Sequence, residues 1–398
     1  MLVIANYVPY PEYGAERAVR LLATALVDAG HTVRVLTTCP TGEDRCDRVE
    51  NHDVQYIAQK NWYWSGDRDS KMFLTKLAWH IRDTRNPGMA AAAGAVFAAW
   101  QPDVVHTHIL AGFSVDVWQA AARREIPVVH TLHDYYLLCP QSNMFTGGHT
   151  CETQCSGCGL FSLPRIRETR HLAAVTAPSA AVLSAHTSRG VFSKRTVTEV
   201  MQYVCPSRPP TNNAPQHEPF CIGFIGRLTV DKGLEHLLTW FRSTQRDNPQ
   251  LRLLIAGSGP LENQVKDAAA HDARITFLGY TRPDEFFPKL NALIVPSIWH
   301  DPSPVVIREA YSFGVPVVGS TSGGIPELVR LVDERLIFEP SRPESLSTAL
   351  AIALDPTLRP QFRDKAYAAM AWFAPEHVAS ETERLYRQVM AGKGIAVP

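Results

Sequence analysis

Apolar runs of strand length alternate with amphipathic helical patterns along both halves of this chain. The run Ala292–Pro296, for example, is followed by Val305, Val306, Ala310 and Phe313, which recur at helical spacing. Such alternation indicates βαβ units with parallel sheets, so we predict the α/β class with two doubly wound, Rossmann-like domains facing a cleft. The predicted strands are Leu2–Asn6, Thr32–Thr37, Val104–His106, Val128–Thr131, Ala174–Ala177, Cys221–Ile225, Arg252–Ala256, Ile275–Leu278, Ala292–Pro296 and Val315–Gly319.

The segment 206–219, PSRPPTNNAPQHEP, interrupts this alternation. It is rich in proline and asparagine and has no apolar periodicity, which is typical of a linker. We therefore predict one domain over residues 1–205 and a second over residues 220–374. The remaining residues, 375–398, begin with a helical pattern that runs from Pro375 to Gly392.

Composition narrows the class of protein further. A chain of 398 residues can build two substantial cores, and its 45% apolar and 20% charged residues are ordinary for a globular protein. Lys and Arg together number 39, as do Asp and Glu, which argues against a dedicated nucleic-acid partner. The apolar run Ala90–Trp100 is too short to span a bilayer, and no secretory signal is visible, so we expect a cytoplasmic protein.

Two acidic residues border the helical pattern of the second domain. Asp301 precedes the predicted helix, and Glu309 lies roughly two turns into it. Ser303-Pro304 or Asp301-Pro302 offers a cap followed by proline, which favours a helix start here. Such a helix directs N–H groups and its positive dipole end at the preceding loop, a favourable place for phosphate. A structural interpretation, with Asp301 as a cap and Glu309 as a solvated charge, fits the pattern equally well.

Two other loops of the second domain place glycine directly after an apolar strand. In GFIGRLTVDKG, residues 223–233, Gly226 turns the chain, and Arg227 and Lys232 follow before a helix. Two cations beside a helix N-terminus suit a diphosphate, although ordinary surface charges would produce the same pattern. In the second loop, Gly257 opens a Gly-Ser-Gly-Pro turn that permits close approach of the backbone.

The segment Phe277–Glu327 resembles the donor site of family 4 glycosyltransferases, which are retaining enzymes with the two-domain GT-B fold. The family pattern is Glu-x7-Glu followed by a Gly-Gly-x-Pro-Glu turn. Here Asp301 stands at the first acidic position, Glu309 stands at the second, and Gly323–Glu327 reproduces the turn. Asp301 is a departure, because its side chain is one methylene shorter than that of glutamate.

The resemblance implies that the second domain binds a nucleotide diphosphate-sugar donor. Arg227 and Lys232 would hold the pyrophosphate, and Asp301 would bind the sugar and stabilise the positive charge that develops on it. No cofactor would be required for catalysis. The other residues implied in donor binding are Glu309 at the ribose, Gly226, Gly257 and Tyr280 in the loops around the nucleotide, and Ser303, Pro304 and Val305 at the helix start.

In the first domain the resemblance implies an acceptor site and one loop that reaches the donor. Tyr13–Glu16 matches the family's Gly-Gly-x-Glu loop, with Tyr13 in place of the first glycine. Gly14 and Ala15 would therefore approach the donor phosphate. The helix within residues 375–398 would pack back on this domain.

His133 follows a predicted strand in PVVHTLHDYYLLCP. A histidine at a strand end is more often structural. The resemblance instead makes His133 a catalytic residue that contacts the transferred sugar, with Asp134 orienting its ring. His106 and His108 mark a neighbouring strand end.

Four of the eight cysteines, Cys139, Cys151, Cys155 and Cys158, fall within one loop, residues 139–158. Four thiolates can hold a structural zinc ion, whereas free thiols or a redox-labile loop are the alternatives. A subset of the glycosyltransferases that this chain resembles has the same spacing of HDY, CP and three further cysteines. Four cysteine ligands would leave no open position for catalysis by the metal.

The combined interpretation is a retaining glycosyltransferase that acts on a glycan or lipid-linked acceptor in cell-surface polysaccharide biosynthesis. An epimerase of the same fold, or a catalytically silent sugar-binding or assembly subunit, would be the alternatives. The basic stretch 165–171 and Lys194-Arg195 fit either a peripheral contact with the inner membrane leaflet or a solvated helix face.

Overall fold

The computed structural model describes residues 1–7, 14–40, 44–64, 72–209, 219–246 and 248–392. The strands are β1 (Leu2–Ile4), β2 (Arg34–Cys39), β3 (Arg45–Val49), β4 (His52–Ala58), β5 (Val105–Thr107), β6 (Val128–Thr131), β7 (Phe145–Thr146), β8 (His149–Thr150), β9 (Ala174–Ala177), β10 (Val197–Val200), β11 (Phe220–Ile225), β12 (Leu251–Ala256), β13 (Ile275–Gly279), β14 (Ala292–Val295), β15 (Val317–Ser320) and β16 (Ile337–Phe338). The helices are α1 (Gly14–Asp28), α2 (Phe73–Thr84), α3 (Pro87–Trp100), α4 (Asp116–Ala122), α5 (Ser156–Glu168), α6 (Ala180–Thr187), α7 (Leu234–Thr244), α8 (Glu262–His271), α9 (Pro283–Phe286), α10 (Val305–Ser312), α11 (Ile325–Val329), α12 (Pro343–Leu354), α13 (Arg359–Ala369) and α14 (Pro375–Ala391).

The chain forms two compact units. Unit 1 comprises Met1–Asn143, Thr153–Val204 and Pro375–Pro398, and unit 2 comprises Met144–Glu152 and Cys205–Ala374. The loop 139–158, which the sequence places in the first domain, is thus divided between the units. Of the predicted linker, residues 206–209 and 219 are described. They form no helix or strand, and the chain bends at residue 219. Residues 210–218 lie outside the described part of the chain.

The sheet of unit 2 is parallel throughout, in the order β13-β12-β11-β14-β15-β16. This is the doubly wound order of Rossmann folds, and it reverses between β11 and β14. Ligands of such sheets bind outside the carboxyl ends of the strands at this reversal. The loops that follow Ile225 and Val295 therefore mark the expected binding crevice of unit 2.

The sheet of unit 1 has the order β10-β9-β6-β5-β1-β2-β4-β3, and its strands are parallel except that β3 pairs antiparallel with β4. The strand order reverses between β1 and β5, where Leu2 lies beside Val105. The loops that follow β1 and β5 therefore mark the crevice of this unit. The predicted α/β class with two Rossmann-like domains is confirmed.

Several strands, in both units, were absent from the predicted set. β3 reads RCDRV and is largely exposed, so it carries no apolar signal that distinguishes an edge strand from a polar loop. β4 and β10 alternate between more and less buried positions, the pattern of strands with one covered face. The hairpin β7–β8 has two residues in each strand, too few for a periodic pattern.

Each unit has its own apolar core. In unit 1 the core joins the sheet to α1 through Leu22 and Leu26 and to α14 through Leu385 and Val389. The C-terminal helix therefore packs on unit 1, although it follows unit 2 in the chain. In unit 2 the core includes Phe241 of α7 and Ile307 of α10. None of the described helices combines the length and apolar character that a membrane span requires.

Candidate active site

In unit 2, the loops after β11 and β14 are fastened to each other at the strand-order reversal. The carbonyl oxygen of Asp231 accepts hydrogen bonds from the backbone N–H groups of Ile298 (3.0 Å) and Trp299 (3.3 Å). The predicted diphosphate loop and the segment that leads into the acidic motif are thereby held side by side. Residues far apart in sequence can converge here because both loops leave the same edge of the sheet.

Lys232 and Asp301 are brought together at this edge. The Lys232 ammonium donates a hydrogen bond to Oδ2 of Asp301 at 2.5 Å, and the hydroxyl of Ser297 approaches the same oxygen at 3.4 Å. The ammonium also lies 5.2 Å from the centre of the Trp299 ring. Asp301 is buried and Lys232 is mostly buried, so a charge-assisted contact is stronger here than at an exposed surface. The sequence assigned these residues to different parts of the donor, and the structure joins them as a pair.

Glycine is required where the acidic loop meets the Gly-Gly-Ile-Pro-Glu turn. Gly323 has φ +60°, and a side chain there would overlap the backbone of Asp301. The next residue, Gly324, donates its N–H to the Asp301 carbonyl at 2.8 Å. The turn thus supports the backbone of Asp301 directly, which gives the double glycine a physical role in positioning the carboxylate.

A second close approach occurs at Gly257, which follows β12 with φ +129°. A side chain at Gly257 would overlap the carbonyl of Gly226, and its N–H donates to the carbonyl of Gly279 at 2.8 Å. The loops after β11, β12 and β13 are therefore in contact. Tyr280 comes directly after this junction and is 86% exposed, so its ring is available to a ligand at this edge of the sheet.

Helix α10 begins where the sequence predicts, but its cap differs from the prediction. The residue before the first turn is Pro304, in extended conformation, and no side chain within the described residues caps the helix. The predicted capping roles of Ser303 and Asp301 are therefore wrong: Ser303 instead accepts a hydrogen bond from the buried Arg308 at 2.6 Å, and Asp301 binds Lys232. Val305 is the first residue of α10, so its N–H lies at the helix end that follows the acidic loop.

Arg227 and Glu309 flank the Lys232–Asp301 pair along the chain. Arg227 follows β11, with its side chain 56% exposed and its guanidinium 3.7 Å from Asp231. Glu309 lies in α10 and is buried, which excludes the interpretation that it is merely a solvated charge. A charged ligand with hydroxyl groups would meet a largely solvent-accessible cation and a buried carboxylate here.

In unit 1, Gly14 and Ala15 open helix α1, which follows β1 at the strand-order reversal. Tyr13, the predicted departure from the family's glycine, lies outside the described residues.

The carboxyl ends of β5 and β6 carry a cluster of histidines, in which His106 and His108 are buried and His133 is partly buried. The hydroxyl of Tyr203 is 2.8 Å from Nδ1 of His133, and Nε2 of His133 is 2.9 Å from Nδ1 of His108. The His133 ring stacks on Tyr203, and His106 lies 2.6 Å from the hydroxyl of Tyr386 in α14. Both nitrogens of His133 thus have partners within unit 1.

Burial keeps these histidines neutral. It lowers the pKa of His106 and of His133 to about 3, and the neighbouring His130 has a pKa of about 3 for the same reason. Burial and the neighbouring histidine rings also lower the pKa of His108 well below its usual value. A neutral imidazole has one donor and one acceptor nitrogen, so this cluster presents polar groups without a net charge at neutral pH.

The expected partnership of His133 with Asp134 is wrong. Asp134 accepts a hydrogen bond from the backbone N–H of Tyr136 at 2.7 Å, while Tyr203 and His108 orient the His133 ring. Burial raises the pKa of Asp134 to about 6. Tyr203 and Tyr386 were not singled out in the sequence, because neither lies in a motif and both reach the cluster from distant segments.

The thiols of the cysteine loop are partly clustered. Sγ of Cys155 accepts the backbone N–H of Cys158 at 3.4 Å, and the Cys158 thiol contacts those of Cys155 and Cys139. Burial and these neighbours raise the pKa of Cys158 to about 12. Cys151 belongs to unit 2. Across the described part of the chain, no three His, Cys, Asp or Glu side chains are arranged to hold a metal ion. Zinc binding by the four cysteines stays a prediction, which metal analysis of the purified protein tests.

Two family models match consecutive parts of the chain. The model for Glycosyltransferase Family 4 matches residues 13–198, and the model for Glycosyl transferases group 1 matches residues 210–369. Together they span most of the sequence, and solved structures share its fold over nearly the whole length of the chain. The chain belongs to the GT-B glycosyltransferases.

One curated protein and two solved structures resemble the chain over most of its length. Over 339 residues, the chain is 28% identical to an uncharacterized 42.6 kDa protein in the cps region of Klebsiella pneumoniae. The aligned region covers 85% of this chain and 89% of that protein. Sucrose-phosphate synthase from Thermosynechococcus elongatus matches with a TM-score of 0.73 and 21% identity, over 98% of this chain and 99% of that chain. The Anabaena protein HepE, solved in complex with UDP and glucose, matches with a TM-score of 0.68 and 17% identity, over 97% and 99% of the two chains.

Proposed function

We propose that this glycosyltransferase transfers a hexose or related sugar from a nucleotide diphosphate-sugar to a glycan or lipid-linked acceptor, with retention of configuration and without a catalytic metal. We further propose that the reaction belongs to the biosynthesis of a cell-surface polysaccharide. The observation that carries the proposal is the Lys232–Asp301 pair, 2.5 Å long, at the strand-order reversal of unit 2.

The charges at this edge suit a nucleoside diphosphate leaving group, which takes both electrons of the bond to the sugar. When the bond between the sugar and the β-phosphate oxygen breaks, negative charge grows on that oxygen. Lys232 and Arg227, together with the N–H groups at the start of α10, would stabilise it. Mutational studies of comparable charge-stabilising donors give effects of about 10²–10³ on kcat. The cations of the loop would thus replace a divalent metal.

Asp301 would act at the sugar while it holds Lys232. Its carboxylate is near the ammonium that meets the phosphate, so a sugar bound at Asp301 would have its anomeric carbon next to the leaving oxygen. The carboxylate would stabilise positive charge that develops on the sugar ring. Glu309, buried in α10, would accept hydrogen bonds from the ribose hydroxyls of the donor.

Proton transfer would not need a charged histidine. The acceptor hydroxyl would attack the anomeric carbon from the face that the phosphate leaves, and its proton would pass to the departing phosphate oxygen. His133 is held neutral by burial, with its pKa lowered to about 3, and both ring nitrogens are occupied. Its role would be to shape and polarise the sugar-facing surface of unit 1.

Two named relatives support the choice of substrates. HepE was solved with UDP and glucose, which favours a nucleotide-sugar donor for this chain. The Klebsiella relative lies in a cps region, which favours a surface polysaccharide as the product.

Product analysis tests the proposal. Purified protein would be incubated with a panel of radiolabelled nucleotide-sugars and a membrane-lipid or oligosaccharide acceptor fraction. We expect one donor to release its nucleoside diphosphate and to label the acceptor through a glycosidic bond of retained configuration. Recovery of the label as a free, epimerised nucleotide-sugar would identify an epimerase instead, and no turnover with any donor would favour a silent subunit.

A further inference from the structure

Helix α2 presents an apolar stripe to solvent. Leu74, Leu77 and Ile81 follow one another at spacings of three and four residues, so they lie on one face of the helix. Leu74 and Ile81 are 71% and 60% exposed. The opposite side of α2 contains the buried Trp79 and Asp83. An amphipathic helix ordinarily turns its apolar face inward, so this orientation marks α2 as a candidate interaction site.

Helix α5, a neighbour of α2, presents exposed apolar side chains of its own. It packs against α2, and its Leu160 and Leu163 are 71% and 65% exposed. Arg167 follows at the same helical spacing, so it continues the face formed by the two leucines. We call the exposed apolar side chains of α2 and α5 the docking face.

Two further exposed apolar side chains lie near α2. Met72 precedes α2 directly and is 76% exposed, and Trp62 is 67% exposed. Trp62 lies close to α2 because the carbonyl of its neighbour Tyr63 accepts a hydrogen bond from the Trp79 indole at 3.1 Å. Tryptophan combines an apolar ring with a polar N–H, which suits the boundary between water and lipid.

The exposed charges of α2 and α5 have one sign. Arg82 and Arg167 are exposed, and neither forms an ion pair with a carboxylate of the described chain. The carboxylates of the two helices, Asp83 and Glu168, are buried. Asp83 accepts hydrogen bonds from Tyr136 and from a backbone N–H, and Glu168 lies among arginine and histidine side chains. The two helices therefore display cations beside apolar groups and no exposed carboxylate.

This arrangement changes the interpretation of the basic stretch 165–171. Arg165 is fully buried, stacks on the Tyr136 ring at 3.8 Å and donates to the Tyr136 carbonyl at 2.6 Å, so it is a core residue. Arg170 and His171 lie within 3.7 Å and 3.3 Å of Glu168. Of this stretch, Arg167 is the cation that the docking face displays.

We propose that the docking face inserts into the surface of an anionic lipid bilayer and holds unit 1 on the membrane. Apolar side chains would enter the boundary between headgroups and acyl chains, and Arg82 and Arg167 would reach the lipid phosphates. The uniform positive charge favours this partner over a second copy of the chain, because a symmetric contact would bring the same cations together. Membrane binding does not depend on the proposed transferase reaction, since it requires neither donor nor acceptor.

Vesicle co-sedimentation of the full chain tests the proposal. The vesicles would consist of phosphatidylcholine alone or of phosphatidylcholine mixed with phosphatidylglycerol. We expect binding to the mixed vesicles that weakens with added salt. The variant Leu74→Ser/Leu77→Ser/Ile81→Ser should lower the partition coefficient by about tenfold or more. Arg82→Gln and Arg167→Gln should each lower it by about fivefold and flatten the salt dependence.

The matched control is Val200→Ser, which removes another exposed apolar side chain, 43% exposed, at the end of strand β10. It should bind vesicles like the wild type, and the thermal unfolding midpoints of all variants should agree with the wild type. Wild-type protein that fails to sediment with anionic vesicles would overturn the proposal. So would a triple variant that binds equally well, or one that instead converts a dimer to a monomer, which would assign the face to a second copy.

Discussion

At the scale of single residues, the Lys232–Asp301 pair is the feature that sequence reasoning did not foresee. The motifs placed Lys232 at the pyrophosphate and Asp301 at the sugar, whereas the structure joins their side chains at 2.5 Å. Sequence spacing cannot show this contact, because the residues are 69 positions apart and meet only through the parallel sheet. The short aspartate side chain is therefore adapted to the position of the ammonium.

Substitution of Asp301 should separate its two roles. Asp301→Ala leaves the mostly buried ammonium without its carboxylate, so we expect kcat to fall by about 10²–10³. Asp301→Glu keeps the charge but displaces it by one methylene, and it should retain part of the activity. Steady-state kinetics with the preferred donor measures both effects. Equal activity of Asp301→Ala and the wild type would remove Asp301 from the catalytic site.

The buried histidines predict a dependence of stability on pH. The folded-state pKa of His106, of His130 and of His133 is lowered from 6.5 to about 3, so the unfolded chain binds protons first as the pH falls. Their stabilising effect is complete above the unfolded pKa and is lost between pH 6.5 and about 3. Asp134, with its pKa raised to about 6, acts in the opposite direction over part of this range.

Urea unfolding between about pH 6.5 and 5 reports mainly on the histidines, because most carboxylates titrate lower, although Asp134 offsets part of their effect. We expect the free energy of unfolding to decrease, with each of these histidines contributing up to about 1.4 kcal/mol per pH unit. His133→Asn should make this decrease smaller by about one such contribution. The control His271→Asn changes an exposed histidine and should leave the slope unchanged. A slope that His133→Asn does not alter would contradict the assignment of a neutral, buried imidazole.

At the scale of elements, the sequence predicted the strands that carry the site well and the element ends less well. β11, β12 and β14 are largely buried parallel strands with mostly apolar residues, so their positions follow from composition and length. The start of α10 was also predicted, but its cap was not, because the Ser303 hydroxyl has a partner, Arg308, that only the folded chain supplies. β3 could not be predicted because its residues have no apolar pattern.

The turn after β15 allows a test of how the site is supported. Gly323→Ala would place a methyl group against the Asp301 backbone at φ +60°, so we expect lower stability and weaker donor binding. Gly190→Ala is the matched control, with φ +65° and no atom within 4 Å of the added group. It should show the backbone strain alone, of about 1 kcal/mol, with normal donor affinity. Thermal unfolding and donor titration distinguish the two, and equal effects on donor affinity would contradict the proposed support of Asp301.

At the scale of the whole molecule, the α/β class and the two Rossmann-like units followed from the alternation of strands and helices. The exact division of the chain did not: residues 144–152 group with unit 2, and the packing of α14 on unit 1 was expected only from the family resemblance. Neither result is visible in local periodicity, because both depend on contacts between distant segments. The same holds for Tyr386, which completes the histidine cluster of unit 1 from the C-terminal helix.

The central claim is that the edge of unit 2 formed by Arg227, Lys232, Asp301 and Glu309 binds a nucleotide diphosphate-sugar. Isothermal titration with the donor that the product analysis identifies tests this claim most directly. Glu309→Ala and Arg227→Ala should each weaken donor binding by about tenfold or more, since each removes a charged hydrogen-bonding partner. Arg246→Ala, an exposed arginine that precedes β12, should bind like the wild type. Unchanged donor affinity in both Glu309→Ala and Arg227→Ala, with normal folding, would contradict the claim that this edge binds the donor.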